Sequence, residues 1–224
     1  MKTAQITHGC SRAHVSLVVF LLLALAGCKT APSLSPSTAL PFAESIERHE
    51  RLRDWRYSAK SSIISNQGNE QINIDWSYSD QAHSIRLFGP LGIGAVKIEY
   101  DQYAVQMSDN KGLIYSGSDA HALLYDVTGL SLPITSLQYW LFAVPEPNSH
   151  FEYQLKADDQ GDRQISLRQH GWTITFSEFV DWPEGEASSP WPLPQKIAAR
   201  GFDANGEPVR IKIFTKSWDF SAVR

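Results

Sequence analysis

The chain has 224 residues, with 20 lysines and arginines against 24 aspartates and glutamates, which gives a net charge of −4 at neutral pH. No nucleic-acid partner is expected, because binding to phosphate groups needs a basic surface. The two cysteines, Cys10 and Cys28, both lie near the N-terminus. Neither a disulfide nor a cysteine nucleophile is therefore expected in the folded domain.

Residues 1–27 are predicted to be a lipoprotein signal peptide. Two cations and no acid precede the apolar run at residues 15–26, which is too short to span a bilayer as a mature helix. The run ends at Leu25-Ala26-Gly27-Cys28, which resembles the bacterial lipobox. This resemblance implies that Cys28 becomes the acylated first residue. The alternative is an ordinary signal peptide that happens to end at a cysteine.

Removal of residues 1–27 takes away two of the 20 cations and no acid, so the mature chain carries 18 cations, 24 acids and a net charge of −6. Three acyl chains on Cys28 hold it on a membrane, since each buried methylene contributes about 0.8 kcal/mol. In Gram-negative lipoproteins an aspartate after this cysteine resembles an inner-membrane retention signal. Lys29 at that position implies the outer membrane. Residues 28–40 form a flexible tether with a reach of about 20 Å.

Residues 41–224 are expected to form a single domain. It begins with an amphipathic helix within Pro41 to Asp54, with Phe42 and Ile46 on one stripe. Apolar residues then alternate with polar ones, as in half-buried antiparallel strands. The stretches with this alternation are residues 72–78, 85–87, 96–100, 105–107, 113–115, 153–155, 165–167, 172–176 and 209–213. Short turns separate several of them, at Asp80-Gln81, Asp109-Asn110 and Asn205-Gly206.

The period changes between residues 118 and 144, which predicts two short helices. The first has Ser118 as N-cap candidate and Gly129 as its stop, and the second starts after Pro133 and ends at Pro145. The predicted fold is mainly β with α: an open, curved antiparallel sheet, or incomplete barrel, covered by about three helices. A sheet with helices packed on it and no cavity is the alternative.

The patterns typical of catalytic and metal sites are missing. The seven histidines are scattered without zinc spacing, and the acidic run at residues 158–162 lacks the glycine and glutamate positions of a calcium loop. That run predicts a hairpin turn. The glycines at 89, 92 and 94 are not followed by the lysine of a phosphate loop. We expect no catalytic residue, no metal and no cofactor.

The turn Gly89-Pro90-Leu91-Gly92 carries a leucine where turn tips are usually polar. One interpretation is that Leu91 folds back onto the sheet. The other is that it dips into a bilayer, which contributes roughly 1.5 to 3 kcal/mol on burial. That free energy orients a tethered domain without anchoring it, and we favour this second interpretation.

With these features the chain resembles the LolB family. The resemblance is carried by the lipobox, by Trp55 at the start of the first strand, by the Gly89–Gly92 loop, by the turn at residues 109–112 and by the Leu-Pro segment at residues 128–145. It implies an open barrel lidded by helices, whose apolar cavity accepts the acyl chains of a lipoprotein delivered by the periplasmic carrier LolA. It also implies that Leu91 helps to insert the cargo into the outer membrane.

Six residues on apolar faces of strands or lid helices are candidates for the cavity wall, although core packing produces the same pattern. They are Trp76, Leu87, Ile98, Met107, Trp140 and Leu141. Two segments depart from the family pattern, namely the long Pro-rich stretch at residues 178–195 and Phe142-Ala143-Val144.

Two rival functions remain, a lipid-anchored scaffold that only binds a partner and a hydrolase of lipid or cell wall. The favoured partners are the carrier LolA, acylated cargo and outer-membrane lipid, and the chain is expected to be a monomer facing the periplasm.

Overall fold

The protein is described by a computed structural model that covers residues 42–157, 162–182 and 191–220. Contacts divide the chain into the units Met1–Ser35 and Pro36–Arg224, and all described residues belong to the second, which contains the whole described core. The predicted signal peptide, Cys28 and the tether therefore lie outside the described residues. Most of the hairpin turn predicted at residues 158–162 lies outside them too.

The described part of the second unit is built on a single antiparallel sheet of eleven strands. The strands are β1 (Asp54–Ser65), β2 (Gly68–Ser79), β3 (Ala82–Phe88), β4 (Val96–Tyr100), β5 (Val105–Ser108), β6 (Ile114–Gly117), β7 (Phe151–Ala157), β8 (Arg163–Gln169), β9 (Trp172–Trp182), β10 (Trp191–Phe202) and β11 (Pro208–Asp219). Their order in the sheet is β6-β5-β4-β3-β2-β1-β11-β10-β9-β8-β7. Within the described residues β6 and β7 are free edges, so the predicted open sheet is confirmed.

Alternation along the strands gives the sheet one apolar and one polar face. In β11 the side chains of Val209, Ile211 and Ile213 are buried, whereas Arg210 and Lys212 between them are exposed. Because successive side chains point to opposite faces of a strand, all buried members of the pattern share one inner face. Each stretch of alternation that the sequence indicated lies in or next to a strand.

Two left-handed residues form the turn between β2 and β3, as predicted. Asp80 has φ 51° and Gln81 has φ 65°. Positive φ at both central residues is the hairpin geometry that matches the twist of the flanking strands.

Strand β10 was not predicted, because it begins inside the Pro-rich segment. Pro192 and Pro194 pair with β9, but β11 pairs with β10 only from Lys196 onward. The two prolines thus lie in a part of β10 that pairs with another strand on one side only. Proline is tolerated there because its missing N–H can face the unpaired side. Thr215 donates its hydroxyl to the carbonyl oxygen of Pro194, at 3.0 Å.

Three α-helices complete the described fold: α1 (Phe42–Arg51), α2 (Ala120–Thr128) and α3 (Ile134–Trp140). The N-cap of α2 is Asp119 and not Ser118 as predicted, since the Asp119 carboxylate accepts from the Ala122 amide at 2.6 Å. Gly129 ends α2 as predicted, in the left-handed conformation at φ 74°.

Helix α3 ends at Trp140, earlier than the predicted Pro145. Turn residues follow, with Ala143 at a φ of 56°, and they press Phe142 onto the inner face of the sheet. The Phe142 ring lies 4.5 Å from that of Trp218 and 5.6 Å from that of Trp55, between ring centroids. No helix in the described residues has both the length and the apolar character needed to cross a membrane.

Candidate functional site

The loop between β3 and β4 presents Leu91 to solvent. A short 3₁₀ turn at Pro90–Gly92 closes on itself, since the Gly89 amide donates to the Ile93 carbonyl at 2.8 Å. The Gly92 amide donates to the Gly89 carbonyl at 3.1 Å. The loop is therefore held by its own backbone hydrogen bonds, and Leu91 remains 99% exposed.

Leu91 is unfavourable in two respects. Its backbone is left-handed, with φ 60° and ψ 18°, a conformation that costs an L-residue other than glycine about 1–2 kcal/mol. Its side chain also leaves apolar surface in water. The interpretation in which Leu91 folds back onto the sheet is therefore not supported. A residue that is both strained and exposed motivates a functional hypothesis for the loop.

Directly beside the loop lies an apolar cleft of about 670 Å³. This volume falls within the usual range of small-molecule pockets, about 300–1,000 Å³. Its apolar wall consists of Ile63, Ile72, Leu87, Phe88, Pro90, Leu91, Ile93, Val96 and Leu130. These residues come from the ends of four adjacent strands, from the loop itself and from the segment after α2.

The opposite rim of the cleft is polar. The turn joining β1 to β2 and the strand residues around it contribute Ser65, Gln67, Asn69, Glu70 and Gln71. A methyl group on Gly129 would lie 3.1 Å from Oε1 of Gln67, so the β1–β2 turn approaches the end of α2. The cleft therefore has an apolar side next to the exposed loop and a polar side at the β1–β2 turn.

Of the six residues predicted for a cavity wall, Leu87 lines this cleft. All six, Leu87 included, are at most 2% exposed and belong to the packed core, and the other five do not line the cleft. Among them, the Trp140 indole nitrogen donates to Oε1 of Gln169 on β8 at 2.9 Å, which ties α3 to the sheet. Their role in holding acyl chains stays a prediction.

A smaller cavity of about 230 Å³ lies at the other end of β1, β2 and β3, against α1 and α3. His49, Trp55, Tyr78, His83 and Tyr139 are among its lining residues. Nδ1 of His83 accepts a hydrogen bond from the Trp76 indole at 3.0 Å, and the His83 ring stacks on Tyr100 with centroids 4.5 Å apart.

Burial lowers the pKa of both histidines from 6.5 to about 4. The backbone of Gln138 partly opposes this shift at His49, and the Gln138 side chain does so at His83, where the charge of His49 adds to the lowering. Both rings are therefore neutral at neutral pH. The described hydrogen bonds of the two rings go to Gln138 and Trp76, and the described residues contain no cluster of side chains suited to a metal ion.

The sequence patterns did not single out Ile93, Leu130 or Phe202. Ile93 is 71% exposed beside Leu91, and Phe202 is 63% exposed at the end of β10. Ile93 could have been found from its place between Gly92 and Gly94, since it repeats the arrangement of Leu91. Leu130 carried no such signal, because its place on the cleft depends on where α2 stops.

The described residues thus form an open antiparallel sheet with helices on its apolar face and an apolar cleft beside an exposed apolar loop. The family model described as Outer membrane lipoprotein LolB matches residues 53–218. The chain belongs to this LolB family of outer-membrane lipoproteins. It is 34% identical to Outer-membrane lipoprotein LolB of Chromohalobacter salexigens, over 83% of this chain and 86% of that one. It is 28% identical to the protein of that name from Francisella tularensis subsp. tularensis, over 92% and 94%.

Solved structures with similar coordinates share little sequence with the chain. A putative outer membrane lipoprotein-sorting protein domain from Vibrio parahaemolyticus aligns with a TM-score of 0.45 at 8% identity, covering 85% of this chain and 95% of that one. A LolA superfamily protein from Nitrosomonas europaea aligns with a TM-score of 0.42 at 7% identity, covering 83% and 96%. The family assignment rests on the sequence matches.

The two buried histidines predict a pH-dependent stability. Because their pKa is about 4 in the folded chain and 6.5 when unfolded, the unfolded chain binds more protons between these values. The free energy of unfolding should therefore decrease as pH falls from about 6.5 to about 4. Over this pH range the free energy of unfolding of the double variant His49→Gln/His83→Gln should decrease less than that of the wild type. Urea titrations at each pH measure it, and identical slopes for both proteins would contradict the prediction.

Proposed function

We propose that this chain accepts acylated lipoproteins from a LolA-type periplasmic carrier and passes them into the outer membrane. The observation that carries the proposal is the position of the cleft of about 670 Å³, whose wall includes the exposed Leu91 loop itself. Family membership supports the lipoprotein-sorting role. No enzymatic step is part of this proposal.

A continuous apolar path is required by the chemistry of the cargo. Exposing one sixteen-carbon chain to water costs on the order of 10 kcal/mol, at about 0.8 kcal/mol per methylene. The cargo must therefore move from one apolar pocket to the next. In the absence of a nucleotide motif, the affinities must increase from carrier to receptor to bilayer.

The cleft offers such a path at its apolar wall. Leu87 on β3 pairs with Val96 on β4, and both line the cleft. Farther along the same inner face Ile98 pairs with Met107. An acyl chain that enters the cleft and displaces the lid helices would continue along these residues, which is the role proposed for the predicted cavity set.

We propose that Leu91 contacts the bilayer, with Ile93 beside it. Burial of a leucine in lipid contributes roughly 1.5 to 3 kcal/mol, which is similar to or larger than the strain of about 1–2 kcal/mol in its left-handed backbone. Such a contact orients the domain with the cleft mouth at the membrane surface, where the cargo leaves. In this arrangement the acylated Cys28 supplies the anchor and the loop supplies the direction.

The acyl anchor is tested at Cys28. Cells that express the chain and receive labelled palmitate should incorporate the label into the wild type but not into Cys28→Ala. Label on Cys28→Ala would contradict the proposed anchor.

Leu130→Trp tests the cleft. The larger side chain should fill part of the space beside Val96 and weaken the uptake of an apolar fluorescent probe by the Pro36–Arg224 unit, by about tenfold for a loss near 1.4 kcal/mol. Leu130→Ala is the matched control, which should retain uptake because it leaves the space open. Equal uptake by both variants would place the probe elsewhere, and no uptake by the wild type would favour a scaffold.

Leu91→Glu tests the loop. The variant should fold and accept a purified acylated lipoprotein from its carrier as the wild type does, but it should release that cargo into liposomes more slowly, because a carboxylate resists transfer into lipid. Leu155→Glu is the matched control, since Leu155 is an exposed leucine on edge strand β7, away from the loop. Normal insertion by Leu91→Glu would refute the proposed bilayer contact.

A further inference from the structure

Among the exposed cations on the outer face of the central strands, four lie toward the end that carries the β3–β4 loop. They are Lys60 on β1, Arg210 and Lys212 on β11, and Arg200 on β10. We call these four residues the basic patch. Its sign is opposite to that of the chain as a whole, which has a net charge of −4.

The strand register places these cations side by side. Arg200 lies directly opposite Arg210, in the pairing of β10 with β11. Lys212 is flanked by Ser62 and Ala198. Like charges directly opposite each other on one face destabilise a sheet, so the Arg200 and Arg210 pair is unfavourable for folding alone.

No described ion pair neutralises the basic patch, although other outer-face cations have carboxylate partners. Arg56 lies 3.7 Å from Asp219, and Arg168 lies 3.3 Å from Glu152. The carboxylate of Asp75, diagonal to Lys60, accepts instead from the Ser58 hydroxyl at 2.8 Å. The basic patch therefore presents uncompensated charge to solvent.

Protection of a sheet edge does not explain these charges. Lysines commonly block edge strands against pairing with other chains. Here β1, β11 and β10 lie in the middle of the eleven-stranded order, where each has neighbours on both sides. Protection of an edge strand therefore does not account for the basic patch.

The basic patch lies at the same end of the sheet as the Leu91 loop. Asn73 on β2 pairs with Phe88, the last residue before the loop, and also with Lys60. Arg210 lies further toward that end, since it pairs with Ile64 beside the β1–β2 turn. Three strand spacings separate β3 from β11, which is about 15 Å.

We propose that the basic patch binds anionic lipid headgroups while the Leu91 loop enters the same bilayer. This inference rests on the proposed bilayer contact of the loop and adds a lipid preference to it. An acidic protein could also bind four cations. The lipid is favoured because exposed apolar side chains lie toward the same end of the sheet, and a bilayer accommodates them together with the charges. Phe202 follows Arg200 by two residues on β10, and Leu91 and Ile93 lie in the loop after β3, about three strand spacings from β11.

Binding to headgroups follows from simple electrostatics. Each lysine or arginine near an anionic leaflet strengthens binding roughly fivefold, and the effect vanishes beyond a Debye length, about 10 Å at 0.1 M salt. The attraction therefore acts only when the loop has brought the basic patch to the surface. This attraction limits rotation of the domain about the inserted loop, because it draws the outer face of the sheet toward the lipid.

The test compares vesicle binding by two double variants of the Pro36–Arg224 unit. Arg200→Gln/Arg210→Gln should bind vesicles of equal parts phosphatidylcholine and phosphatidylglycerol about 25-fold more weakly than the wild type, from two cations at roughly fivefold each. Binding to phosphatidylcholine alone should not change. Arg53→Gln/Arg56→Gln, just before and near the start of β1 at the opposite end of the sheet, removes the same charge and should bind like the wild type.

Thermal unfolding separates a binding defect from misfolding. Because Arg200 and Arg210 repel each other, their double variant should unfold at the same temperature as the wild type or a higher one. Equal binding of the wild type to both kinds of vesicle would overturn the inference. So would a patch variant that binds anionic vesicles normally but loses affinity for a purified acidic carrier.

A different result would refute the proposed function of lipoprotein transfer, on which this inference rests. If the wild type delivered no lipoprotein even into phosphatidylcholine vesicles, transfer itself would be refuted. Normal delivery into those vesicles together with indifference to phosphatidylglycerol would leave transfer intact and refute only the basic patch.

Discussion

The sheet has one apolar face, and three short helices are too little to cover it all. Helix α2 stops at Thr128 because Gly129 turns left-handed, and its amide closes the last turn on the Tyr125 carbonyl at 2.8 Å. Beyond that point the inner face at Ile72, Leu87 and Val96 has only Leu130 and the β3–β4 loop to shield it. The cleft is the space that this incomplete cover leaves. These inner-face residues stay at most 7% exposed, so the end of α2 determines where the cleft lies, and the accessible apolar surface is that of Leu91 and Ile93 in the loop.

The loop beside the cleft contradicts the rules that hold elsewhere in the fold. Most apolar side chains in the strands face inward, with exceptions such as Leu155 and Phe202, whereas Leu91 and Ile93 are both exposed, and Leu91 is so from a strained backbone. Local choices that conflict with folding are expected where function compensates for them. The hydrogen bonds from Gly89 to Ile93 and from Gly92 to Gly89 keep the exposed side chains in place. A rigid loop loses little conformational entropy when it meets a bilayer, so more of the burial free energy is retained.

Sequence alone predicted the features that depend on local pattern. Nine strands, β2 to β9 and β11, follow from alternation, the Asp80-Gln81 turn from its polar pair, and the stop of α2 from Gly129. Strand β1 was indicated only by the family resemblance, at Trp55. Strand β10 was missed because Pro192 and Pro194 argue against a strand, and their tolerance depends on the missing ladder on one side, which only the register reveals. The N-cap of α2 was predicted one residue too early, at Ser118 instead of Asp119. The two residues are adjacent and both are good N-caps, so the sequence pattern does not distinguish them.

The candidate site was harder to predict than the fold. Leu91 was found because a leucine between glycines and proline is locally anomalous. The cavity residues carried no such signal, because an apolar residue on an inner face looks the same whether it packs against a neighbour or borders a cleft. Leu87 and Trp76 both follow this pattern, and only Leu87 reaches the cleft. The difference depends on whether another part of the chain packs against the side chain, and this is a property of the tertiary structure.

The surroundings of the two ends of β1 differ in polarity and charge. At one end His49 of α1 and His83 of β3 are neutral at neutral pH, beside a cavity partly lined by aromatic rings. At the other end the sheet offers an apolar cleft, an exposed loop and uncompensated cations on its outer face. Apolar contact holds at any salt concentration, whereas attraction by the cations fades as screening increases. A surface that combines both is selective for a bilayer over water through its apolar part and among bilayers through its charge.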